Sequence, residues 1–217
     1  MKKLKPLVLL GPPGSGKGTQ CVKLVDLLGY VRVATGDLIR SEVMSESDLG
    51  AQLRSVLDSG ELVSDDYVCQ LVSQFLSLPH RNPLFLFDGF PRTLMQAQHI
   101  FSEISGTPLE NFVVAHIQLP LESVIARINS RLVCNHCSYV FSAINHHLQR
   151  GFICPKCKLG RLDSRSDDSE HVVRRRYEIF SAENQALLDF FGERVCTIDG
   201  DQTQEHVFDE IIRLICT

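Results

Sequence analysis

The segment GPPGSGKGTQ at residues 11–20 constrains the fold of this chain more than any other. It lies directly between the apolar run LVLL and a stretch with helical spacing. A glycine-rich loop between a strand and a helix lets backbone N–H groups approach phosphate oxygens at the positive end of the helix. Gly11, Gly16 and Lys17 match the phosphate-binding pattern, whereas Gly18 occupies the usual hydroxyl position and Thr19 follows it. We therefore predict that a nucleoside triphosphate binds here, with Lys17 reaching its outer phosphates.

Five short apolar runs alternate with segments of helical periodicity along the chain. The runs are Leu7–Leu10, Val31–Ala34, Leu84–Phe87, Val113–Leu119 and Val195–Ile198. Strands that alternate with helices in this way form a parallel sheet covered by helices on both faces. The pattern therefore predicts an α/β fold of three layers around a five-stranded parallel sheet.

Helical periodicity places two of the connecting helices. The first follows the phosphate loop and ends at Gly29, since glycine suits the left-handed position after a helix. The second begins at Pro120 and is predicted to continue to Leu132. That extent would place Arg127 and Arg131, four residues apart, on one edge of the same helical face.

Two stretches interrupt the alternation and are predicted to be insertions on the sheet. Residues 35–64 are polar and helical, and residues 131–168 contain four cysteines and the charged stretch GRLDSRSDD. Insertions of this kind can close over bound substrates as lids. The predicted core domain is the rest of the chain, residues 1–34, 65–130 and 169–217.

Four of the eight cysteines have the spacing of a metal site. Cys134, Cys137, Cys154 and Cys157 form two C-x2-C pairs separated by 16 residues. This spacing is typical of a structural zinc ion held by four thiolates. The alternative is two disulfides, which is disfavoured because the other four cysteines are scattered in apolar surroundings, as reduced core cysteines are.

Composition limits the partners that the chain can have. The chain has 217 residues, of which 44% are hydrophobic, and its formal net charge of −4 gives no general attraction to nucleic acids or membranes. The apolar part of the N-terminal MKKLKPLVLLG is too short for a signal peptide, and no stretch has the roughly 18 apolar residues of a membrane helix. We therefore expect a cytoplasmic protein that binds neither nucleic acid nor membranes.

Asp88 follows the apolar run LFLF, at the predicted carboxyl end of a strand. Ligands of open α/β sheets bind at this end of the strands. The carboxylate could orient the hydration shell of a magnesium ion, as the acidic residue of other phosphate-loop proteins does. The alternative is that Asp88 only opens a turn before Gly89.

Six arginines lie near the ends of predicted elements or within the two insertions. Taken singly, each is best explained as a solvated surface residue. Taken together in an acidic protein with a phosphate loop, they indicate a clamp for more phosphates than one triphosphate carries. The six are Arg40, Arg92, Arg127, Arg131, Arg165 and Arg176.

The motifs together resemble those of the adenylate kinase family. They are GPPGSGKGT, TGDLIR, DGFPRT with Gln96 following, and DSRSDD before a basic helix, in family order from about residue 7 to about residue 200. The four-cysteine insertion resembles the zinc-bearing lid of the long bacterial form. The resemblance implies a monomeric kinase that transfers the γ-phosphoryl group of ATP to AMP with Mg²⁺, giving two ADP, and that carries a structural Zn²⁺.

The resemblance also implies which residues contact each substrate. The ATP-binding positions are Gly14, Ser15, Gly16, Lys17, Gly18, Thr19, Arg127, Arg131, Val140, Phe141 and Gln202. The AMP-binding positions are Thr35, Arg40, Glu61, Leu62, Val63, Gly89, Phe90, Pro91, Arg92, Gln96, Arg165 and Arg176. The catalytic positions are Lys17, Asp88, Arg92, Arg127, Arg131, Arg165 and Arg176. Asp167 and Asp168 match the acidic pair of the lid, residues 35–64 match the segment that binds the monophosphate, and Gln96 matches the residue that reads the adenine edge.

One departure from the family pattern lies in the cysteine insertion. Many zinc-lid members have Gly-x-x-Tyr-His after the second cysteine, whereas this chain has SYVFS at 138–142. The side-chain contacts of that segment to ATP are therefore not implied here. Backbone contacts at Val140 and Phe141 still are.

Two other functions fit parts of the sequence. A kinase for another nucleoside monophosphate would share the phosphate loop, Asp88 and the arginines. A nucleic-acid-binding ATPase with a zinc ribbon would share the loop and the cysteines, but the net acidity and the lack of basic stripes with interleaved aromatics oppose it.

Overall fold

The computed structural model of the chain describes residues 4–44, 53–56, 62–77, 84–143, 147–165 and 167–216. The strands are β1 (Leu7–Leu10), β2 (Val31–Ala34), β3 (Phe85–Asp88), β4 (Val113–Gln118), β5 (Arg131–Cys134), β6 (Val140–Ser142), β7 (Leu162–Asp163) and β8 (Val195–Asp199). The helices are α1 (Lys17–Leu28), α2 (Thr35–Met44), α3 (Asp65–Ser77), α4 (Leu94–Ile104), α5 (Leu121–Asn129), α6 (Glu170–Phe191) and α7 (Gln204–Ile215). None of these described helices is both long and apolar enough to cross a membrane.

The central sheet has five parallel strands in the order β2-β3-β1-β4-β8. The predicted five-stranded parallel sheet is confirmed, and the strand bounds differ from the prediction by one residue at most at each end. Because all strands run the same way, their carboxyl ends meet at one edge. The register pairs Leu9 of β1 with Asp88 of β3, so Asp88 lies beside the start of the phosphate loop.

Helices cover both faces of the sheet, as predicted. Leu7 and Leu9 are 0% exposed and pack on the face covered by α1 and α7, whereas Val8 and Leu10 pack on the opposite face under α3, α4 and α6. Alternate residues of a strand point to opposite faces, so a strand covered on both sides is apolar throughout. This is why the buried strands appear in the sequence as continuous apolar runs rather than as alternating patterns.

Of the two predicted helix ends, that of α1 is confirmed and that of α5 is wrong. α1 ends before Gly29, whose φ of 70° is the left-handed conformation that was expected. The second helix, α5, ends at Asn129, so the prediction that it continues to Leu132 is wrong. Arg131 begins strand β5 and pairs with Ser142 of β6, so it shares no helical face with Arg127. The apolar spacing continued into the strand because Leu132, which would prolong the helical face, is instead a buried inner position of β5.

The cysteine-bearing stretch has a small antiparallel sheet of its own, in the order β6-β5-β7. Its core consists of five buried residues, Leu132, Cys134, Phe141, Cys154 and Leu162. Of the other predicted insertion, the structure describes α2, the helical residues 53–56 and the stretch from 62. The division into a core and two moving insertions remains a prediction.

Candidate active site

The phosphate loop connects β1 to α1 through three glycines with positive φ. Gly11, Gly14 and Gly16 have φ of 149°, 75° and 98°. A Cβ on Gly11 would lie 2.6 Å from the carbonyl oxygen of Ile117, so no larger residue fits there. Gly16 is the N-cap of α1, and its carbonyl accepts from the backbone N–H of Thr19 at 3.0 Å. The loop therefore ends at the positive end of α1, where anions are stabilised.

Lys17 places its ammonium group inside this loop. Nζ donates to the carbonyl oxygens of Gly11 at 2.7 Å and Pro12 at 2.8 Å, and lies 3.3 Å from the Oγ atom of Ser15. Burial lowers the pKa of Lys17 to about 8, and the nearby Asp88 carboxylate only partly offsets this. A partly desolvated cation in a ring of backbone groups is suited to bind an anionic phosphate.

Asp88 ends β3, and its side chain is 10% exposed. Its Oδ2 atom accepts two hydrogen bonds from Arg32, from Nε at 3.0 Å and from Nη2 at 2.5 Å. A carboxylate beside the phosphate loop fits the oxygen ligation that Mg²⁺ prefers. The sequence predictions did not include Arg32, although a charged residue within the strand VRVA was a signal that it has a partner.

One pocket gathers most of the residues predicted to bind AMP. It is lined by Thr35, Gly36, Ile39, Arg40, Leu62, Val63, Val68, Arg92, Gln96 and Arg176. Gly36, Ile39 and Val68 were not predicted, although Gly36 and Ile39 neighbour predicted residues in α2. Glu61, also predicted for AMP, lies outside the described residues.

Gln96 is 1% exposed, and hydrogen bonds fix its side-chain amide. Its Oε1 atom accepts from the backbone N–H of Arg92 at 2.8 Å, and its Nε2 atom donates to Asp65 Oδ1 at 2.7 Å. Thr93, the N-cap of α4, donates to the other oxygen of Asp65 at 2.8 Å. Asp65 therefore orients the amide, a role that sequence reasoning missed because it is a contact between two helices.

The DGFPR turn lies against the start of α2. The hydroxyl of Thr35 donates to the carbonyl oxygen of Gly89 at 3.2 Å, and Arg92 Nε donates to the same oxygen at 2.8 Å. The Phe90 side chain is fully buried in the core, and Pro91 is buried beside it. Phe90 can therefore offer only its backbone to a ligand.

The arginines of the insertion boundary converge and are partly neutralised by the acidic pair. Arg131 Nε donates to Asp168 Oδ2 at 2.8 Å, and Arg176 Nη2 lies 2.7 Å from Asp167 Oδ2. Burial lowers the pKa of Arg165 to about 10, and the positive charges of Arg131 and Arg40 add to the effect.

Arg92 lies in an environment similar to that of Arg165. Desolvation lowers its pKa to about 10, and the positive charges of Arg176 and Arg40 add to the effect. So many desolvated cations at one place are costly unless an anion binds among them. The cluster is therefore suited to a highly charged phosphate ligand.

Arg127 and Gln202 meet at the turn after β8. Arg127 Nη2 donates to the carbonyl oxygen of Gly200 at 2.7 Å and lies 3.7 Å from Asp201. Gln202 Nε2 donates to Glu210 of α7 at 3.1 Å. The arginine and the turn that were both predicted to contact ATP are thus adjacent.

Val140 and Phe141 lie on β6. Phe141 is 7% exposed in the small core, and its ring centroid lies 4.8 Å from that of Tyr139. Within SYVFS, the rings of Tyr139 and Phe141 pack together and add to the small core of this sheet. Only the backbone of Phe141 is available to a nucleotide.

The four predicted zinc ligands form one cluster, with all four sulfur atoms within 4.8 Å of one another. The Cys134 and Cys157 sulfurs are 3.6 Å apart, and the Cys137 and Cys154 sulfurs are 3.8 Å apart. A disulfide would need about 2.05 Å. Tetrahedral zinc with Zn–S bonds of about 2.3 Å separates its sulfurs by about 3.8 Å. The cluster therefore fits zinc and does not form the alternative disulfides.

Backbone N–H groups favour the thiolate form of two of these cysteines, Cys134 and Cys157. The N–H groups of Gly160 and Leu159 lower the pKa of Cys157 to about 6. A Cβ on Gly160 would lie 2.5 Å from the Cys134 sulfur, so the close approach of this backbone requires glycine. Such N–H donors to metal-bound sulfur are typical of structural zinc sites.

The fold and the site define a class of protein, a phosphotransferase in which a triphosphate-binding loop faces an arginine-lined pocket for a second phosphorylated substrate. The family model described as adenylate kinase matches residues 9–196. The chain is 34% identical over 209 residues to an adenylate kinase of Kosmotoga olearia, covering 95% of this chain and 97% of that protein. It is 34% identical over 207 residues to one of Archaeoglobus fulgidus, covering 94% and 95%. The chain belongs to the adenylate kinase family.

The family membership gives the reaction. The chain is a nucleoside monophosphate kinase that transfers a phosphoryl group between ATP and AMP, with ADP as the product. Adenylate kinases use ATP with Mg²⁺. This confirms the resemblance that the motifs indicated.

Proposed function

We propose that the site has two facing halves, one that binds ATP and one that binds AMP, and that the predicted residues transfer the phosphoryl group between them. The pocket lined by Arg40, Arg92 and Gln96 would hold AMP, and the loop containing Lys17 would hold the ATP phosphates. The observation that carries this division is that seven of the predicted AMP-site residues line a single pocket beside the arginine cluster.

The reaction needs charge neutralisation and alignment rather than a general base. The attacking oxygen of AMP is already anionic near pH 7, so no residue has to remove a proton. Lys17, Arg127 and Arg131 would stabilise the phosphoryl group in transfer, with Arg165 and Arg176 neutralising the AMP phosphate beside it. Asp168 and Asp167 would keep Arg131 and Arg176 in place before a ligand binds.

Asp88 would hold the magnesium ion through its hydration shell. Mg²⁺ bridges and neutralises oxygens of the outer phosphates when it is bound. Asp88 lies next to β1 and the loop, in the position that such a role requires.

The two insertions would exclude water, which would otherwise accept the phosphoryl group. Residues 35–64 would close over AMP and residues 131–168 over ATP, with zinc fixing the shape of the second insertion. We also propose a cytoplasmic monomer, as the resemblance to the family implies.

An assay of the four nucleoside monophosphates tests the substrate. Purified protein with Mg²⁺ and ATP is expected to turn over AMP strongly and CMP, UMP and GMP weakly. Gln96 retains one further donor hydrogen and one further acceptor lone pair after its two protein contacts, enough to read one base edge. Equal turnover with another monophosphate would favour the alternative of a kinase with a different base preference.

Replacing Arg40 or Arg92 with Ala is expected to raise the KM for AMP about tenfold or more, with a much smaller effect on the KM for ATP. Both arginines line the proposed AMP pocket, and a hydrogen bond to a charged group contributes about 1.5–3 kcal/mol. Arg174→Ala is the control, because Arg174 is half-exposed and pairs with Glu170 on α6. A rise in the KM for ATP alone would mean that the two halves are assigned in reverse.

A further inference from the structure

Arg32 joins two carboxylates that come from different elements. It lies in β2, and its Nε and Nη2 atoms both donate to Asp88 Oδ2. Its remaining nitrogen, Nη1, lies 3.0 Å from Asp37 Oδ2, in the first turn of α2. Arg40 pairs with the other oxygen of Asp37. Asp88, Arg32, Asp37 and Arg40 therefore form a continuous row of alternating charges, which we call the β2 charge row.

The two ends of the β2 charge row lie in the two halves of the proposed site. Asp88 is beside the phosphate loop, and Arg40 lines the proposed AMP pocket. The side chain of Asp88 is 10% exposed and that of Arg32 is 31% exposed, so the row is anchored at its more buried end. Asp37 is 46% exposed and depends on both arginines for its position. A change at one end can therefore reach the other through three ion pairs.

The planar guanidinium is what permits this bridge. Its N–H donors point outward in a fixed plane, so Arg32 contacts Asp88 with two nitrogens and Asp37 with the third. A lysine ammonium has the same charge but lacks the fixed fork. Lysine at this position would neutralise Asp88 without also holding Asp37.

The two contacts of Arg32 have opposite consequences for the binding of Mg²⁺ and of AMP. The positive charge of Arg32 beside Asp88 repels a second cation, so it weakens the attraction of this carboxylate for Mg²⁺. The contact with Asp37 fixes the carboxylate that in turn holds Arg40 at the AMP pocket. Arg32 thus weakens Mg²⁺ binding at one end of the β2 charge row and strengthens AMP binding at the other.

We infer that Arg32 is a positioning residue that weakens Mg²⁺ binding through Asp88 and strengthens AMP binding through Asp37 and Arg40. The inference rests on the proposed function, from which it takes the AMP pocket and the magnesium carboxylate. It adds a residue that matched no motif of the family and that touches neither substrate in the proposed arrangement.

Calorimetry on the full chain tests the effect on AMP binding and the effect on Mg²⁺ binding, and it needs no catalytic turnover. The first quantity is the Kd for AMP without Mg²⁺ or triphosphate. The second is the factor by which Mg²⁺ tightens the binding of a non-hydrolysable ATP analogue. In Arg32→Gln we expect the Kd for AMP to rise about fivefold and the Mg²⁺ factor to increase about fivefold, within the range for residues that act through a network. Arg174→Gln, which removes a comparable two-nitrogen contact to Glu170, should change neither.

Two further variants distinguish the effect on AMP binding from the effect on Mg²⁺ binding. Their results do not depend on whether Arg32→Gln folds. Arg32→Lys should keep the wild-type Mg²⁺ factor, because the charge remains, and should weaken AMP binding, because the fork is lost. Asp37→Asn should weaken AMP binding without increasing the Mg²⁺ factor, because Arg32 keeps its contact with Asp88.

The inference is overturned if Arg32→Lys and Asp37→Asn both bind AMP as the wild type does. It is equally overturned if they weaken AMP and the ATP analogue to the same extent, since that is the result of general loosening. Arg40→Ala distinguishes this failure from failure of the proposed function. If Arg40→Ala weakens AMP binding while the Arg32 and Asp37 variants do not, the AMP pocket stands and only the role of Arg32 is lost.

Discussion

Lys17→Met is expected to lower kcat/KM for ATP by about 10²–10³, the usual cost of losing one donor that stabilises developing charge. The ammonium lies within hydrogen-bonding distance of Gly11, Pro12 and Ser15, at the centre of the loop that would surround the phosphates. Methionine has a similar length and no charge, so it removes the donor with little change in volume. A steady-state assay with ATP varied at saturating AMP measures the effect.

The fold of this variant should persist, because Lys17 belongs to neither of the two clusters that pack the sheet. Lys23→Met is the matched control on the same helix, since Lys23 contacts Glu205 at the surface and lies away from the loop. It should retain wild-type kinetics. A Lys17→Met enzyme with near wild-type kcat/KM and an unchanged melting temperature would remove Lys17 from the mechanism.

The low pKa of Lys17 adds a pH dependence to the same experiment. With a pKa of about 8 in the free enzyme, the amine loses its charge as the pH rises through that value. The wild-type kcat/KM for ATP, which reports ionisation of the free enzyme, should therefore fall above about pH 8. Lys17→Arg keeps its charge across this range and should not show the fall.

The parts of the site that the sequence predicted are those fixed by local chemistry. The phosphate loop needs glycines with positive φ next to a helix start, and the cysteine pairs need a short spacing to share one ion. Both requirements act over a few residues. Gly16, Lys17 and Cys134 could therefore be assigned to their sites from the sequence, before the fold was known. The strands could be found because burial on both faces makes them apolar throughout.

The parts that the sequence did not predict depend on contacts between distant segments. Arg32 meets Asp88 only because β2 and β3 are neighbours in the sheet, and Asp65 meets Gln96 only because α3 packs against α4. Neither pairing leaves a periodic or spaced pattern in the chain. The wrong end of α5 has a related cause, since the strand pairing of Arg131 with β6 overrides a helical pattern that local residues would continue.

Cys154→Ser is expected to abolish zinc binding and to lower kcat by about 10² or more. Among the described residues of 131–163, the core of the small sheet has five buried members, and two of these are zinc ligands. We therefore expect too little apolar burial for it to fold without the ion. Arg131 lies on β5 of this sheet and Arg165 follows β7. Loss of the sheet would displace both arginines, and displacement of even one charge-stabilising donor costs about 10²–10³ in rate.

The ion should be structural and should not activate water. Four thiolates complete the tetrahedral shell of zinc and leave no open position, so the wild type should contain about one zinc per chain by metal analysis. Binding of an ATP analogue to the loop of Lys17 should survive in Cys154→Ser within a few-fold, because the sheet and its two apolar clusters do not include the insertion. Cys196→Ser, on β8 and outside the cluster, should retain both zinc and activity. A zinc-free Cys154→Ser protein with wild-type kcat and melting temperature would show that the cluster plays no part in holding the arginines.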